Sequence, residues 1–163
     1  MRSRPRLPVA SVVVCLGLFV APAPAANAQT ASDVGTWKLN AAKSKYDPGP
    51  APTSGTTTIT AKGGATTIVV DQTMPDGAKR HWETTTQGDG KDAPVTGNNP
   101  DADALARTRV NATTVKTVYK KGGKETTTQT SVVSADGKTR TVTTTGTNAK
   151  GQKVHNVAVY EKQ

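Results

Sequence analysis

From Gly35 onward, short runs that alternate apolar or threonine positions with polar ones are separated by clusters of Gly, Asn, Asp and Pro. Period-2 runs bounded by turn residues are the mark of half-buried β-strands. The pattern predicts ten strands, at 35–39, 55–62, 65–74, 78–87, 91–96, 102–110, 113–120, 125–133, 139–147 and 152–161. Gly63-Gly64, Pro75-Asp76-Gly77, Gly88-Asp89-Gly90, Gly122-Gly123 and Ala135-Asp136-Gly137 lie between them. These are hairpin turns in which Gly supplies positive φ. In the run 113–120, Val115, Thr117 and Tyr119 fall on one face and Lys116 and Lys120 on the other. In the last run Val154, Ala158 and Tyr160 share one face, with His155, Val157, Val159 and Glu161 opposite. Around Thr126-Thr127-Thr128 and Thr143-Thr144-Thr145 both faces read as threonine, so turns rather than burial have to set the register.

No helical period interrupts this rhythm. Asn40 to Thr53 allows one helical turn up to Tyr46, after which Pro48, Pro50 and Pro52 forbid more. That segment is expected to cross one barrel end as an ordered loop, with Tyr46 beneath it. Asn98 to Asp101 forms the longest inner loop, where Pro100 stops pairing. A meander of ten strands left open exposes two bare edges, and closing it removes both. The expectation is an all-β antiparallel up-and-down meander closed into a barrel of about ten strands. Trp37, in Gly35-Thr36-Trp37-Lys38-Leu39, is expected to close one end, with the glycine letting the backbone pass tightly.

The segment before the first strand has another character. Arg2, Arg4 and Arg6 precede an apolar run from Val9 to Val20, followed by Pro22, Pro24 and the small-x-small sequence Ala26-Asn27-Ala28. This is the layout of a secretory signal peptide over residues 1–28, cleaved before Gln29. The apolar run is too short for the roughly 20 residues that span a bilayer, so no transmembrane segment is expected after processing. A secreted or periplasmic domain of residues 29–163 follows, with Gln29 to Asp33 as a short flexible lead-in. The single cysteine, Cys15, leaves with the leader, so no disulfide supports the fold.

Composition sharpens this only in part. Three of the 21 basic residues and none of the 12 acids precede Gln29, which leaves a net charge of +6. Lys116, Lys120, Lys121 and Lys124 crowd one hairpin, with only Tyr119 nearby to stack on a base. Edge lysines that discourage sheet-to-sheet aggregation explain that charge without a nucleic-acid partner. The core is lean, its aromatics being Trp37, Tyr46, Trp82, Tyr119 and Tyr160.

Candidate chemistry is sparse. His81 and His155 are the only histidines and lack partners at metal-ligand spacing. No serine sits on a Gly-x-Ser-x-Gly elbow, and Asp71, Glu83 and Asp92 are isolated carboxylates. No catalytic residue, metal or cofactor is assigned, and the chain does not read as an enzyme. The densest cluster is Arg80-His81-Trp82-Glu83, where alternation puts Arg80 and Trp82 on one face. Two readings stand: the pair lines a cavity that receives an anion, or Trp82 is plain core with Arg80 at the rim. Tyr119 and Tyr160 carry the same two readings.

The run Trp37-Lys38-Leu39-Asn40, the segments Lys43-Ser44-Lys45 and Gly49-Pro50-Ala51-Pro52, Pro94 to Asn98, and Asp136 to Thr139 together resemble bacterial secreted proteins of lipocalin-like type. The Gly-x-Trp start and the closing Val159-Tyr160-Glu161-Lys162 resemble the wider lipocalin and fatty-acid-binding (calycin) superfamily. The resemblance implies a lipocalin-like barrel whose interior holds a small hydrophobic or amphipathic molecule, as a monomer. Two departures stand out. The Arg-x-Tyr carboxylate grip of fatty-acid-binding proteins is absent, because Ala158 precedes Tyr160 by two, and a proline loop replaces their helical lid. The resemblance also implies a late basic residue across the Trp37 ring, for which Arg140 and Lys162 both qualify. Trp37, Arg80, Trp82, Tyr119 and Tyr160 are the candidate ligand-binding residues of the barrel lining. The competing function is a ligand-free envelope protein acting through its threonine- and lysine-rich outer face.

Overall fold

The computed structural model describes residues 33–163, so the leader expected over 1–28 lies outside the described residues. The ten expected runs become eleven strands: β1 (Gly35–Leu39), β2 (Ser54–Lys62), β3 (Ala65–Thr73), β4 (Lys79–Thr86), β5 (Asp89–Pro94), β6 (Thr96–Gly97), β7 (Ala104–Arg109), β8 (Thr114–Lys121), β9 (Lys124–Val133), β10 (Thr139–Thr147) and β11 (Lys153–Lys162). Threonine and valine dominate them because β-branched side chains suit a pleated, half-buried surface. The one helical turn, Ala41–Lys43, is a 3-10 turn, and the Asn40 side chain accepts the Lys43 N–H at 3.1 Å to cap it. Among the described residues no helix is long and apolar enough to cross a membrane.

Every paired strand is antiparallel to its partner, and β11 returns to β1 with Tyr160 opposite Leu39. The order around the sheet is β5-β7-β8-β9-β10-β11-β1-β2-β3-β4-β6. Its two ends, β5 and β6, are consecutive pieces of one segment. Asp89–Pro94 runs beside β7, and after Val95 the chain changes sides, so that Gly97 pairs with Trp82 on β4. The fifth expected strand therefore straddles a seam, and the barrel is nearly rather than fully closed. Pro94 has no N–H for a ladder, and its carbonyl takes the Thr84 hydroxyl across the seam at 2.8 Å. Gly97 is required there: its φ is +97°, and a Cβ would stand 2.3 Å from the His81 carbonyl oxygen.

The seam fixes what lies inside. Trp82, Thr84 and Thr86 of β4 point inward and are buried, as do Val115, Thr117 and Tyr119 of β8 and Arg140 and Val142 of β10. The threonine triplets resolve as the turns dictate. Thr127 is buried and Thr144 borders the interior, which the other members of each triplet do not. Thr126 instead donates its hydroxyl to the Asp101 carbonyl at 2.9 Å, tying the long inner loop to β9.

Candidate functional site

The barrel has a sealed end and an open end. At the sealed end Trp37 has no exposed surface, and its indole N–H donates to the Asp33 carbonyl at 2.8 Å. Lys162, its register partner on β11, lays its ammonium 5.2 Å from the ring centroid. Gly35 leaves room for that lysine, since a Cβ there would meet Lys162 Cε at 2.7 Å. Of the two basic residues considered for the Trp37 ring, Lys162 is the one that packs on it. Arg140 lies instead over Tyr160, directly opposite it on β11, at 5.6 Å.

Asp33 corrects the sequence reading more deeply. Expected in a flexible lead-in, it is 1% exposed, and its carboxylate accepts from the Arg107 guanidinium and from Arg109 at 2.9 Å. The two arginines are separated by one residue on β7, so both project to the same face at the sealed end. Burial alone would raise the Asp33 carboxyl, but the two guanidiniums outweigh it and hold it below the usual carboxylate value. Sequence patterning missed this because a lone aspartate carries no periodic signal and its partner lies 74 residues away. The readable part was Arg107-Thr108-Arg109 on a strand otherwise facing a core.

The open end holds a cavity of about 310 Å³. Its mouth is framed by Tyr46, Pro48, Pro50 and Pro52 of the first loop, Met74 and Arg80 of the β3–β4 hairpin, Pro100 of the inner loop, and Lys150 of the β10–β11 turn. The loop is held in place by an isolated bridge between Lys45 and Val157, and by the His155 N–H donating to the Asp47 carbonyl at 2.7 Å. Deeper in, Trp82 and Tyr119 meet edge to face, with ring centroids 6.0 Å apart and planes at 88°. With Tyr160, Gln72, Gln129 and Val142 they form a waist that also borders a second, smaller chamber of about 70 Å³.

That inner chamber is polar where a barrel core is usually apolar. Arg107, Arg140, Thr117 and Ser131 reach it beside Ile68, Val70 and Val115. Arg140 is 9% exposed, and its Nε donates to the Ser131 hydroxyl at 2.8 Å. None of the ion pairs among the described residues includes it. Burial pulls its pKa below the ordinary value, against the opposing pull of Tyr160 and Asp33, yet a guanidinium stays protonated in a protein. Burial likewise pushes the Tyr46, Tyr119 and Tyr160 hydroxyls up, so all three are neutral donors at physiological pH.

Of the five residues chosen from sequence, Arg80, Trp82, Tyr119 and Tyr160 border the cavity, and Trp37 does not reach it. The physical reason is register: Trp37 is opposite Thr57 on β2 and Lys162 on β11, at the sealed end. Arg140 and the glutamines of the waist were not assigned to the lining. In a threonine-rich stretch with both faces polar, nothing local says that Arg140 points inward. His81 and Asp71 form a 2.7 Å contact on the outer wall, more than half exposed. Among the described residues no three His, Cys, Asp or Glu side chains gather as a metal site.

No protein-family model matches this chain, and no curated protein matches it. Among solved structures, the chain is similar to zebrafish ileal bile acid-binding protein complexed with cholic acid, at 13% sequence identity and a TM-score of 0.47, over 81% of this chain and 99% of that one.

Proposed function

We propose that this protein is an exported, non-catalytic binding protein that takes a small, partly apolar molecule into its barrel. The observation that carries this reading is the cavity of about 310 Å³, open at one end and walled by Trp82, Tyr119 and Tyr160. Its volume lies at the low end of the range for small-molecule sites, which are concave, mainly aromatic or apolar, and set with a few polar groups. The mouth sets four prolines and Met74 among polar side chains such as Arg80, Asp101, Asn148 and Gln152, which suits a body only partly apolar. A barrel with no ligand to hold gains nothing from such a space, because close packing of the same walls would add dispersion contacts. Export rests on the leader-like residues 1–28.

The test is native mass spectrometry of the protein purified gently from its own cells, with tryptophan fluorescence before and after organic extraction. The expected outcome is an adduct of a few hundred daltons, with emission shifting as it is stripped, since Trp82 borders the cavity. A bare mass, together with no response of the fluorescence to apolar probes, would overturn the carrier reading.

A further inference from the structure

We propose that the molecule held in the barrel is a neutral glycoside, its sugar ring resting on a row of uncharged side chains formed by Gln129, Thr144 and Asn156, with its apolar substituent toward the mouth. This rests on the carrier reading above and specifies its ligand.

Register sets the row. Thr144 on β10 stands opposite Gln129 on β9 and opposite Asn156 on β11, and all three residues border the cavity. Neighbouring strands lie about 4.8 Å apart, close to the separation of hydroxyls on alternate carbons of a chair-form ring. Each amide already has its oxygen engaged. Gln129 Oε1 accepts the Tyr119 hydroxyl at 3.1 Å, and Asn156 Oδ1 accepts the Asp47 N–H at 2.9 Å. A backbone N–H can face only the oxygen of an amide, so Asn156 is held with its nitrogen turned the other way. Among the described residues no buried side-chain nitrogen or oxygen lacks a partner, so the two amide nitrogens, left without one, reach open space. Both are donors on the cavity wall.

Charge and shape narrow the ligand. The charged residues bordering the cavity, Arg80, Asp101 and Lys150, come from the hairpin, loop and turn at its mouth. Arg107 and Arg140 border the smaller chamber beneath the waist instead. The wall between is neutral, and amides and threonine hydroxyls match ligand hydroxyls, which both donate and accept. A polar group taken out of water unpaired is costly, so such a wall favours a ligand bringing hydroxyls over one lacking them. Trp82 and Tyr119, with planes at 88°, form an aromatic corner of the same space. The negative face of such a ring attracts the C–H face of a sugar, which a plain alcohol chain lacks. At about 310 Å³ the cavity takes one ring with a short substituent rather than a chain of sugars.

The experiment uses the full chain and three probes with the same apolar body, hexyl β-glucoside, 1-hexanol and hexanoate, titrated by tryptophan fluorescence and calorimetry. The glucoside is expected to bind about tenfold or more tightly than either of the others. Gln129→Leu and Asn156→Leu should each remove most of that preference, and Arg80→Gln should leave it intact. Saturation-transfer NMR on the unaltered protein gives an independent reading. The ring protons of the glucoside should receive more saturation than its terminal methyl. A glucoside that binds no more tightly than hexanol or hexanoate, a preference unmoved by both leucine variants, or a methyl more saturated than the ring would overturn the proposal while leaving the carrier reading intact. Binding of none of the three probes, with no co-purifying molecule, would overturn both.

Discussion

Arg107 and Arg140 are inward-pointing arginines of one barrel, both nearly without exposed surface. Around Arg107 the chain supplies a counter-charge from Asp33, a second arginine to share it, and the Trp37 plug close by. Around Arg140 it supplies a hydroxyl, a ring face and empty space. The sealed end pairs its polar groups within itself, whereas the inner chamber, which both arginines border, leaves Arg140 outside any ion pair. A packed plug and an open cavity thus divide the barrel along its axis, and the division can be tested residue by residue.

The largest effect is expected at the plug. Trp37→Ala should cost about 4–5 kcal/mol, the upper part of the range for emptying a packed aromatic site. Trp82→Ala should cost about half as much, roughly 2 kcal/mol, because its ring already borders space. Urea unfolding of both variants reads the difference directly. Equal losses would mean that the waist is packed as tightly as the plug, and the contrast between the ends would collapse.

The two arginines sharpen the point. Asp33→Asn leaves the Arg107 charge buried without its partner and should destabilise the protein by about 3 kcal/mol at neutral pH. Arg140→Met removes a charge that is in no ion pair and leaves only the Ser131 hydroxyl without its donor, so stability should stay within about 1 kcal/mol of the parent. The sign of the pH dependence follows from the depressed Asp33 carboxyl. Its contribution is complete above the unfolded-chain value of about 4 and is lost as pH falls through the lower folded value. The stability gap between parent and Asp33→Asn should therefore close in acid, as measured by urea titrations from neutral pH downward. A gap that persists unchanged at the acid end would show that the aspartate acts through packing rather than charge.

The smallest effect is expected at Lys162, which lies over the plug from the outside. Lys162→Met should cost about 0.5–1 kcal/mol, the scale of an exposed cation–π contact, and should leave ligand binding unchanged. Thermal unfolding of the variant checks the first claim and a probe titration the second. A change in binding would mean that the sealed end communicates with the cavity.

How much of this was legible beforehand varies along the chain. Hairpin turns such as Gly63-Gly64 and Gly122-Gly123 are local signals, and the strands they separate lie within a few residues of their expected limits. The inward placement of Tyr119 and Tyr160 was legible for the same reason, because their strands alternate cleanly. Arg140 was not, since Thr139 and Thr141 beside it give neither face an apolar identity. Asp33 was hidden differently: its neighbours read as a tail, and the partners that bury it come from β7.

Alternation and turn chemistry act over a few residues, so the chain alone specifies an antiparallel meander, a tryptophan closing a barrel end and a proline loop crossing a barrel end. The seam at Pro94 and Val95 and the packing of Lys162 rather than Arg140 on Trp37 emerge only once the strands are assembled. Those outcomes depend on strand register and on charges meeting across the barrel. A run of threonines leaves register open, and no local pattern records which distant side chain will stand opposite.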